Sequence, residues 1–509
     1  MKHLILILAI FLSFSLVGQK PSNSTAKKSN DSRDTSRYDV KMDMDYEVTK
    51  NASVNINGVN IPYKVTASTT PVWDENGKAM AGIFTVFYER TDVADKSTRP
   101  IVFSFNGGPG AASLWMMLGY TGPKLVKMDP EGYPIQPYGL KDNPNSILDV
   151  ADIVYVDPVN TGFSRPINEN ISRDKFFGVN ADIKYLAKWI GSFVTLKERW
   201  SSPKFLIGES YGTIRVSGLA LELQESEWMF LNGVVLVSPT DLGISRTGPV
   251  QEALRLPYFA ATAWYHKALN PDLLARELND LLPEVEQFTI NELLPAVALG
   301  GSLDPTKKNK IIKQFARYSG LSESVVAQYE LQIPVYFYWK ELLRSRGQTI
   351  GRLDSRYIGI DTRDAGLSPE YNAELVAWMQ SFTPAINMYL RDDLGFKTKL
   401  KYNVFGSVHP WNNEGNNTGK NLRAAMAQNP YLHVMVQSGF YDGACDYFNA
   451  KYNLWQLDVN SRVKDRLSWK GYRGGHMMYL RQDDLKLSTQ DIREFIAISL
   501  KATAVPAKY

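Results

Sequence analysis

The stretch Lys204-Phe-Leu-Ile-Gly-Glu-Ser-Tyr-Gly212 decides the fold. It contains Gly-x-Ser-x-Gly, with an apolar run before the serine and a helical pattern from Thr213 to Gln224 after it. A sharp turn from a strand into a helix would raise the hydroxyl of Ser210 at the edge of a sheet. The following amide, that of Tyr211, would then face a developing oxyanion. We therefore expect Ser210 to be a nucleophile on an α/β sheet.

Short apolar runs, each followed by a loop, recur on both sides of this stretch. Such runs are typical of strands buried on both faces of a parallel sheet. They are Ile101 to Phe105, Ile153 to Val156, Phe205 to Ile207, Val234 to Val237 and Leu432 to Val436. Helical spacing lies between some of them, as in Ala181 to Trp200. Near the start, Val54 to Ile61 alternates around Asn57-Gly58, which predicts an antiparallel hairpin. The order of elements predicts an α/β-hydrolase fold, with a mostly parallel central sheet that opens with antiparallel strands.

Two parts of the chain do not show this alternation of strand and helix patterns. Residues 246–400 contain helical segments and few strand signals, so we interpret them as a mainly helical cap insertion over the ligand-binding edge of the sheet. Residues 1–19 combine Lys2 with an apolar run that is typical of a secretory signal peptide, and an uncleaved anchor is the alternative. The polar residues 20–45 predict a disordered linker. Residues 46–245 and 401–509 would form the two parts of the hydrolase core.

Charge and cysteine content limit the classes of partner and compartment. A net charge of +4 over 509 residues gives no argument for nucleic acid or an anionic membrane surface. The run in residues 1–19 is too short for an ordinary membrane span, so we expect an exported protein, periplasmic or secreted, without stable membrane insertion. Cys445 is the one cysteine, which excludes an intrachain disulfide, and we expect it to be a small buried residue. Nothing in the sequence requires a metal or an organic cofactor, and the oligomeric state is left open.

The base for the nucleophile must come from a small number of histidines. In α/β hydrolases the acid and then the histidine follow the serine along the chain. His266 lies in the helical insertion, His409 in a loop rich in Pro, Asn and Gly, and His433 inside an apolar strand. His476 follows two glycines, between a short strand signal and a terminal helical pattern. Because glycines let such a loop fold back toward the serine, we expect His476 to be the general base.

Two aspartates compete for the role of the acid. Asp442 and Asp446 both follow the Leu432–Val436 run. Asp442 comes sooner after the strand and precedes Gly443, and a carboxylate there would fix the tautomer of the histidine. Asp446 could instead cap the next helix. We favour Asp442 as the acid.

A glycine-rich turn, Asn106-Gly-Gly-Pro-Gly110, follows the first buried strand. Such a turn can direct backbone amides at a ligand, and hydrolases of this class take a second oxyanion donor from a loop at this position. The Gly-Lys-Ser/Thr ending of a phosphate loop is absent. A glycine-rich turn without function is the alternative.

Four motifs in a fixed order resemble the serine carboxypeptidase family, and the substitutions described below resemble a bacterial branch of it. They are Asn106-Gly-Gly-Pro-Gly110, Asp157-Pro-Val-Asn-Thr-Gly-Phe-Ser164, Gly208-Glu-Ser-Tyr-Gly212 and Gly474-Gly-His-Met477. The resemblance covers roughly residues 50 to 500. It implies that Ser210, His476 and Asp442 form a triad that removes C-terminal residues from peptides with a free carboxyl end.

The resemblance also implies roles for residues around the triad. The amides of Gly108 and Tyr211 would form the oxyanion hole, and Asn106 and Glu209 would hold the terminal carboxylate of the substrate. A glutamate binds a carboxylate only if one of the two is protonated, which predicts better peptide binding at acidic pH. Tyr120 stands where relatives carry a second glutamate, and a tyrosine can donate a hydrogen bond to the carboxylate without an extra proton. We therefore expect a weaker dependence on acid.

Two further substitutions leave the substrate class open. Ala111 and Phe440 stand where the family has a cysteine and an aspartate, so the disulfide of the glycine-rich loop is missing. An esterase or an acyltransferase would use the same triad. A catalytically inactive binding protein is a third alternative, but all three triad residues are present.

Overall fold

The computed structural model describes residues 40–244, 246–501 and 506. The predicted signal peptide and the predicted linker up to residue 39 lie outside the described residues. Met1–Lys41 is a separate unit, of which Val40 and Lys41 are described, and Met42–Tyr509 is the second unit.

A large mixed sheet forms the centre of the second unit, and two small two-stranded sheets accompany it. The strands are β1 Glu47–Ile56, β2 Val59–Trp73, β3 Ala79–Arg90, β4 Ile101–Phe105, β5 Lys124–Val126, β6 Leu140–Asp142, β7 Asp152–Asp157, β8 Arg165–Pro166, β9 Lys204–Glu209, β10 Gly233–Val237, β11 Thr349–Ile350, β12 Ile358–Gly359, β13 His433–Gly439 and β14 Leu467–Tyr472. The large sheet has the order β1-β2-β3-β7-β4-β9-β10-β13-β14, with β8 beside β3. The pairs from β1 to β7 are antiparallel, and those from β7 to β14 are parallel. The predicted fold class, a mostly parallel sheet that opens with antiparallel strands, is confirmed.

The hairpin at the start of the sheet forms where the sequence predicts it. Asn57 and Gly58 connect β1 to β2, and both have a positive φ, 50° and 86°. Two successive residues of this kind match the twist of the flanking strands, and asparagine and glycine reach this conformation at low cost.

Helices occupy the connections between the parallel strands. They are α1 Val179–Leu196, α2 Tyr211–Ser226, α3 Pro249–Ala253, α4 Leu256–Tyr265, α5 Pro271–Leu274, α6 Leu278–Phe288, α7 Leu294–Leu299, α8 Pro305–Ser319, α9 Glu323–Gln328, α10 Val335–Glu341, α11 Ala373–Met388, α12 Thr418–Gln428, α13 Tyr447–Leu457 and α14 Gln482–Leu500. The elements α3 to α12, with β11 and β12, all lie between the neighbouring strands β10 and β13. The part of the chain predicted as the insertion is therefore mainly helical, while the domain boundaries stay predictions.

The near-continuous apolar strands contribute side chains to two buried clusters, one on each face of the sheet. In β10, Val234 and Leu236 belong to one buried cluster, and Val235 and Val237 belong to the other. Successive side chains of a strand point to opposite faces, so an apolar run of this kind requires cover on both sides. Residues of α1, α2 and α12 complete one cluster, and residues of α14 contribute to the other.

A third apolar cluster lies within the helical insertion and extends to Tyr441 and Tyr447, which follow β13. Packing of this cluster attaches the insertion to the carboxyl end of the sheet. Within the described residues, none of the helices combines the length and the apolar character needed to span a bilayer.

Candidate active site

The predicted nucleophile lies at a strained turn between a strand and a helix. β9 ends at Glu209, α2 begins at Tyr211, and Ser210 between them has φ 58° and ψ −126°. A residue with a side chain adopts this region only when its surroundings enforce it. The Ser210 amide donates to the carbonyl of Val237 on the next strand at 3.0 Å, which is one such constraint. The turn expected from the sequence is confirmed.

The glycine-rich turn after β4 lies directly against this serine turn. A Cβ at Gly107 would lie 2.5 Å from the Tyr211 nitrogen and 2.6 Å from the Glu209 carbonyl oxygen. Both neighbours are backbone atoms that cannot move aside, so only glycine permits the approach. The turn after β4 and the amide of Tyr211 are thereby brought together, as the predicted oxyanion hole of Gly108 and Tyr211 requires.

Asp442 and His476 form a buried pair on two neighbouring strand ends. β13 and β14 are adjacent and parallel, so the loops that follow them leave the same edge of the sheet. His476 Nδ1 and Asp442 Oδ2 are 2.7 Å apart, and Asp442 also accepts the amides of Ala444 and Cys445 at 2.9 Å. Burial lowers the pKa of His476, but the Asp442 carboxylate more than offsets this effect, and the pKa of His476 is raised above its usual value.

The second candidate aspartate has a different role in the structure. Asp446 is the N-cap of α13, and its carboxylate accepts the amide of Asn449 at 3.0 Å. The capping role predicted for Asp446 is confirmed. Asp442 is the aspartate that the structure pairs with the histidine.

One cavity of about 190 Å³ connects these groups. The predicted site residues that line it are Asn106, Gly108, Glu209, Ser210 and His476. Among the described residues, the other histidines, His266, His409 and His433, do not line this cavity. The structure therefore brings the predicted nucleophile and the predicted base to a common space.

A buried carboxyl group lies next to the predicted nucleophile. Glu209 accepts a hydrogen bond from Asn106 Nδ2 at 3.0 Å and another from the Tyr479 hydroxyl, both on Oε2. Its Oε1 lies 3.8 Å from His476 Nε2. Burial raises the pKa of Glu209, and the nearby His476 and the two hydrogen bonds only partly counteract this effect. The glutamate therefore keeps its proton to a higher pH than an exposed one does.

The structure does not bring Tyr120 into this group. Its hydroxyl donates to Gln437 Oε1 at 2.6 Å, and its ring stacks on Tyr479 with the centroids 4.5 Å apart. Tyr120 therefore packs against Tyr479, and it is Tyr479 that contacts Glu209. Sequence reasoning missed Tyr479. Its position three residues after His476, just beyond the Gly474–Met477 motif, is the signal that could have drawn attention to it.

Cys445 also differs from the expectation. It is only partly buried, and it lies beside the pair of Asp442 and His476, with the donor atoms of the three within 4.8 Å of one another. Burial raises the pKa of the thiol, which keeps it protonated. These three atoms are close enough to hold a metal ion, but Nδ1 of His476 already bonds to the carboxylate. Asp442, Cys445 and His476 are therefore better described as a hydrogen-bonded group than as metal ligands. The predicted lack of a metal stays a prediction.

A short segment of the insertion, residues 351–357, lies against the loops that carry the predicted acid and the predicted base. The Gly443 amide donates to the Arg352 carbonyl at 3.0 Å, and the His476 amide donates to the Leu353 carbonyl at 2.6 Å. Arg352 and Leu353 also line the cavity. This 351–357 segment thus connects the loop of the predicted acid with the loop of the predicted base. Sequence reasoning assigned no role to any residue of the insertion.

The class of protein follows from this arrangement: an α/β hydrolase with a serine on a strained turn and a histidine–aspartate pair. Residues 72–270 match the family model described as Peptidase S10, serine carboxypeptidase. Residues 72–270 are therefore similar to a Peptidase S10 serine carboxypeptidase domain, and the predicted resemblance is confirmed. The bacterial type of member stays a prediction.

Curated relatives match over parts of their length. Serine carboxypeptidase S10 family member 1 of Dictyostelium discoideum is 29% identical over 29% of this chain and 32% of its own length. Serine carboxypeptidase-like 16 of Arabidopsis thaliana is 28% identical over 38% of this chain and 44% of its own length. The lysosomal protective protein of Mus musculus is 31% identical over 34% of this chain and 33% of its own length. The chain thus spans less than half the length of each of these relatives.

A solved structure supports the fold over most of the chain. The prohormone-processing carboxypeptidase Kex1(Δ)p of Saccharomyces cerevisiae superposes with a TM-score of 0.51 at 14% identity. The likeness covers 86% of this chain and 92% of the yeast chain. At this identity the likeness concerns the fold.

Proposed function

We propose that this protein is a serine-type carboxypeptidase that releases C-terminal amino acids from peptides. The observation that carries the proposal is the 2.7 Å contact of His476 with Asp442 on the same cavity as Ser210. The family match of residues 72–270 supports the same activity. The buried pair of Asn106 and Glu209 in that cavity favours a substrate with a free carboxyl end.

In the proposed acylation step, Ser210 Oγ attacks the carbonyl carbon of the last peptide bond, and His476 Nε2 takes the hydroxyl proton. Asp442 holds the imidazole in the required tautomer and stabilises the imidazolium that forms. The amides of Gly108 and Tyr211 would donate to the oxyanion of the tetrahedral intermediate.

The intermediate then collapses. His476 gives its proton to the leaving nitrogen, the C–N bond breaks, and the terminal amino acid departs from the acyl-enzyme. Water attacks the ester of Ser210 in the same way, with His476 as the base, and the shortened peptide leaves.

The terminal carboxylate of the substrate would bind at Asn106 and Glu209. An ionised glutamate would repel it, so the glutamate must carry a proton when the peptide binds. The raised pKa of Glu209, which burial causes, makes this protonated form available.

We also propose export. The apolar run in residues 1–19 is the basis of this proposal, and peptides outside the cytoplasm would then be the substrates. Amino-terminal sequencing of the protein recovered from the culture medium or the periplasm tests it. An intact first residue in a cytoplasmic fraction would contradict export.

The activity is tested with purified protein and three substrates that share one acyl part: an N-blocked dipeptide with a free C-terminus, its C-terminal amide and a simple ester. Release of the last residue from the free acid, and not from the amide, supports the carboxypeptidase. Ester turnover alone favours the esterase alternative on the same triad. No turnover, together with no labelling of Ser210 by a fluorophosphonate probe, would contradict a hydrolase of either kind.

A further inference from the structure

A cationic residue of the insertion lines the cavity that Ser210 and His476 also line. Arg352 lines this cavity and is exposed. Among the described residues, its guanidinium takes part in no ion pair with an aspartate or a glutamate. A charge without a counter-charge at the wall of a cavity is available to a ligand.

The backbone of Arg352 is held at a defined place relative to the predicted triad. Its carbonyl accepts the amide of Gly443, the residue after Asp442, and the next carbonyl accepts the amide of His476. The Leu353 amide donates to Glu374 Oε1 at 2.8 Å. Because three hydrogen bonds surround this point, the guanidinium moves only by rotation of its own side chain.

The rest of the 351–357 segment is equally fixed. Arg356 and Asp354 form a buried pair in which the guanidinium contacts both carboxylate oxygens, with a shortest distance of 2.6 Å. Their side chains are 1% and 2% exposed. This pair keeps the segment in one conformation, and the contact of Arg356 with Glu131 at 3.3 Å attaches it to the rest of the protein.

The neighbouring carboxyl groups already have partners. Asp442 bonds to His476, Glu209 accepts from Asn106 and Tyr479, and Asp354 bonds to Arg356. Glu374 accepts the Leu353 amide, and burial raises its pKa to about 7, so much of it is neutral near neutral pH. The charge of Arg352 lowers the pKa of Glu374, but among the described residues the two groups form no ion pair, so the guanidinium can still pair with a ligand in the cavity.

We infer that Arg352 is a specificity-determining residue that binds a carboxylate of the substrate next to the reacting bond. A guanidinium presents parallel N–H donors that match the two oxygens of a carboxylate. The carboxylate has two possible sources in a peptide: the free C-terminus, or an aspartate or glutamate side chain on either side of the bond. The inference deepens the proposed function, because it rests on a peptide or a related acyl compound as the ligand.

Binding to an inactive protein tests this inference without any turnover. The proteins are the variant Ser210→Ala, the same variant with Arg352→Gln, and the same variant with Arg363→Gln as the matched control. Arg363 is an exposed arginine of the same insertion that does not line the cavity. The ligands are four N-benzoyl dipeptides, measured by calorimetry: Ala-Ala acid, Ala-Ala amide, Ala-Glu amide and Glu-Ala amide.

We expect Arg352→Gln to weaken binding of the carboxylate-bearing ligands about tenfold, as for a partly solvated charge-assisted contact, and to leave the Ala-Ala amide unchanged. A loss for the Ala-Ala acid identifies the free C-terminus. A loss for the two glutamate amides identifies an acidic side chain. Arg352→Lys should retain part of the affinity, since a lysine keeps the charge but not the fork of donors. The control variant should bind all four like the parent.

Equal affinities of the parent and the Arg352→Gln variant for every carboxylate-bearing ligand would overturn the inference, and so would an equal loss for the neutral amide. Failure to detect binding of any carboxylate-bearing ligand would overturn it as well. Failure of the proposed function would look different, because it would appear as absent peptide turnover by the protein with Ser210 intact.

Discussion

The carboxyl edge of the central sheet and the helical insertion meet at one cavity, but they contribute different groups to it. The sheet edge contributes side chains, since Ser210, Asp442 and His476 each follow closely after a strand. The insertion contributes backbone carbonyls, which hold the two late loops, and the side chain of Arg352. The reacting side chains are thus expected to come from the sheet edge, and the insertion is expected to position them and to contact the substrate.

The difference teaches how substrate preference can change while the reaction stays the same. Residues on the sheet edge are positioned by strand register, which a substitution elsewhere does not move. Residues of the insertion reach the cavity through the 351–357 segment. That segment is also the place where the two regions contact each other. Four substitutions test whether the sheet edge performs the chemistry and the insertion sets the substrate preference.

The largest effect is expected from Ser210→Ala. If the sheet edge performs the chemistry, kcat/KM for peptide and ester should fall by about 10⁴-fold or more, since the reaction then has no nucleophile. Steady-state kinetics and urea unfolding of the same preparation measure this. Ser217→Ala on α2 is the matched control, a buried serine that does not line the cavity, and it should keep its activity. Retained turnover in Ser210→Ala would contradict the assignment of the chemistry to the sheet edge.

The next change disturbs the 351–357 segment, whose backbone carbonyls connect the two regions. Asp354→Asn leaves the buried Arg356 without its main counter-charge, and we expect a loss of about 3 kcal/mol or more in the free energy of unfolding. Because the same segment holds the catalytic loops, kcat should also fall about tenfold or more. Urea unfolding and ester kinetics give the two numbers.

A second buried pair of the insertion provides the control for this change. Lys340 and Asp361 are 2.6 Å apart, and both side chains are 2% exposed. Asp361→Asn should cost a similar free energy of unfolding but leave kcat of the folded protein close to normal. Equal losses of kcat in Asp354→Asn and Asp361→Asn would show that the 351–357 segment has no special connection to the catalytic loops.

Glu209→Gln examines how the sheet edge recognises a carboxylate. Burial raises the pKa of Glu209, so in the parent protein the group ionises only as the pH rises through this raised value. Ionisation repels the substrate carboxylate, and KM for a free-acid peptide should then rise roughly tenfold on the alkaline side. The glutamine variant should lose this rise. A KM profile that Glu209→Gln leaves unaltered would contradict the proposed role.

Two substrates and one further variant make this measurement specific. A neutral ester should show no alkaline rise of KM in either protein. Glu374→Gln removes a buried carboxyl group of the insertion whose pKa is raised to about 7 by burial, and it should keep the alkaline rise. Loss of the rise in that variant would assign the recognition to the insertion instead of the sheet edge.

The smallest effect separates the two stacked tyrosines. The hydroxyl of Tyr479 donates to Glu209 and lowers its pKa, so Tyr479→Phe should raise that pKa further and move the alkaline rise of KM to higher pH. Tyr120→Phe removes the hydrogen bonds of that hydroxyl, to Gln437 and Ser488, which do not involve Glu209, and it should leave the KM profile unmoved. Both variants should lose about 1 kcal/mol of stability in urea unfolding. A shift in the Tyr120 variant alone would favour its predicted contact with substrate.

Much of the fold could be predicted because local patterns coincide with the elements. β4 spans Ile101–Phe105, as its apolar run indicates, and Asn57-Gly58 forms the predicted two-residue turn. Strand and helix periods depend on residues that are close in sequence, so they can be recognised without knowing which elements pack together. Within the predicted helical insertion the structure separates α5 from α6 by three residues, because capping and packing decide where a helical pattern is interrupted.

The site was predictable to the extent that it follows from strand ends. Parallel strands place their carboxyl ends at one edge, which is why residues as distant as Ser210 and His476 could be expected at one cavity. The expected contact of Tyr120 with the substrate carboxylate could not be derived from strand ends, and in the structure the Tyr120 hydroxyl donates to Gln437 instead. Which of two tyrosines reaches Glu209 depends on how two loops stack, and sequence separation carries no information about that.

The sequence by itself determined the strand and helix pattern, the strained serine turn and the order of the predicted triad, because these depend on local periodicity, glycine positions and strand direction. Only the tertiary structure decided that Asp442 pairs with His476, that Tyr479 contacts Glu209 and that Arg352 lines the cavity. Those contacts join segments far apart in the chain, and their geometry arises from the packing of the insertion on the sheet edge, which no local pattern encodes.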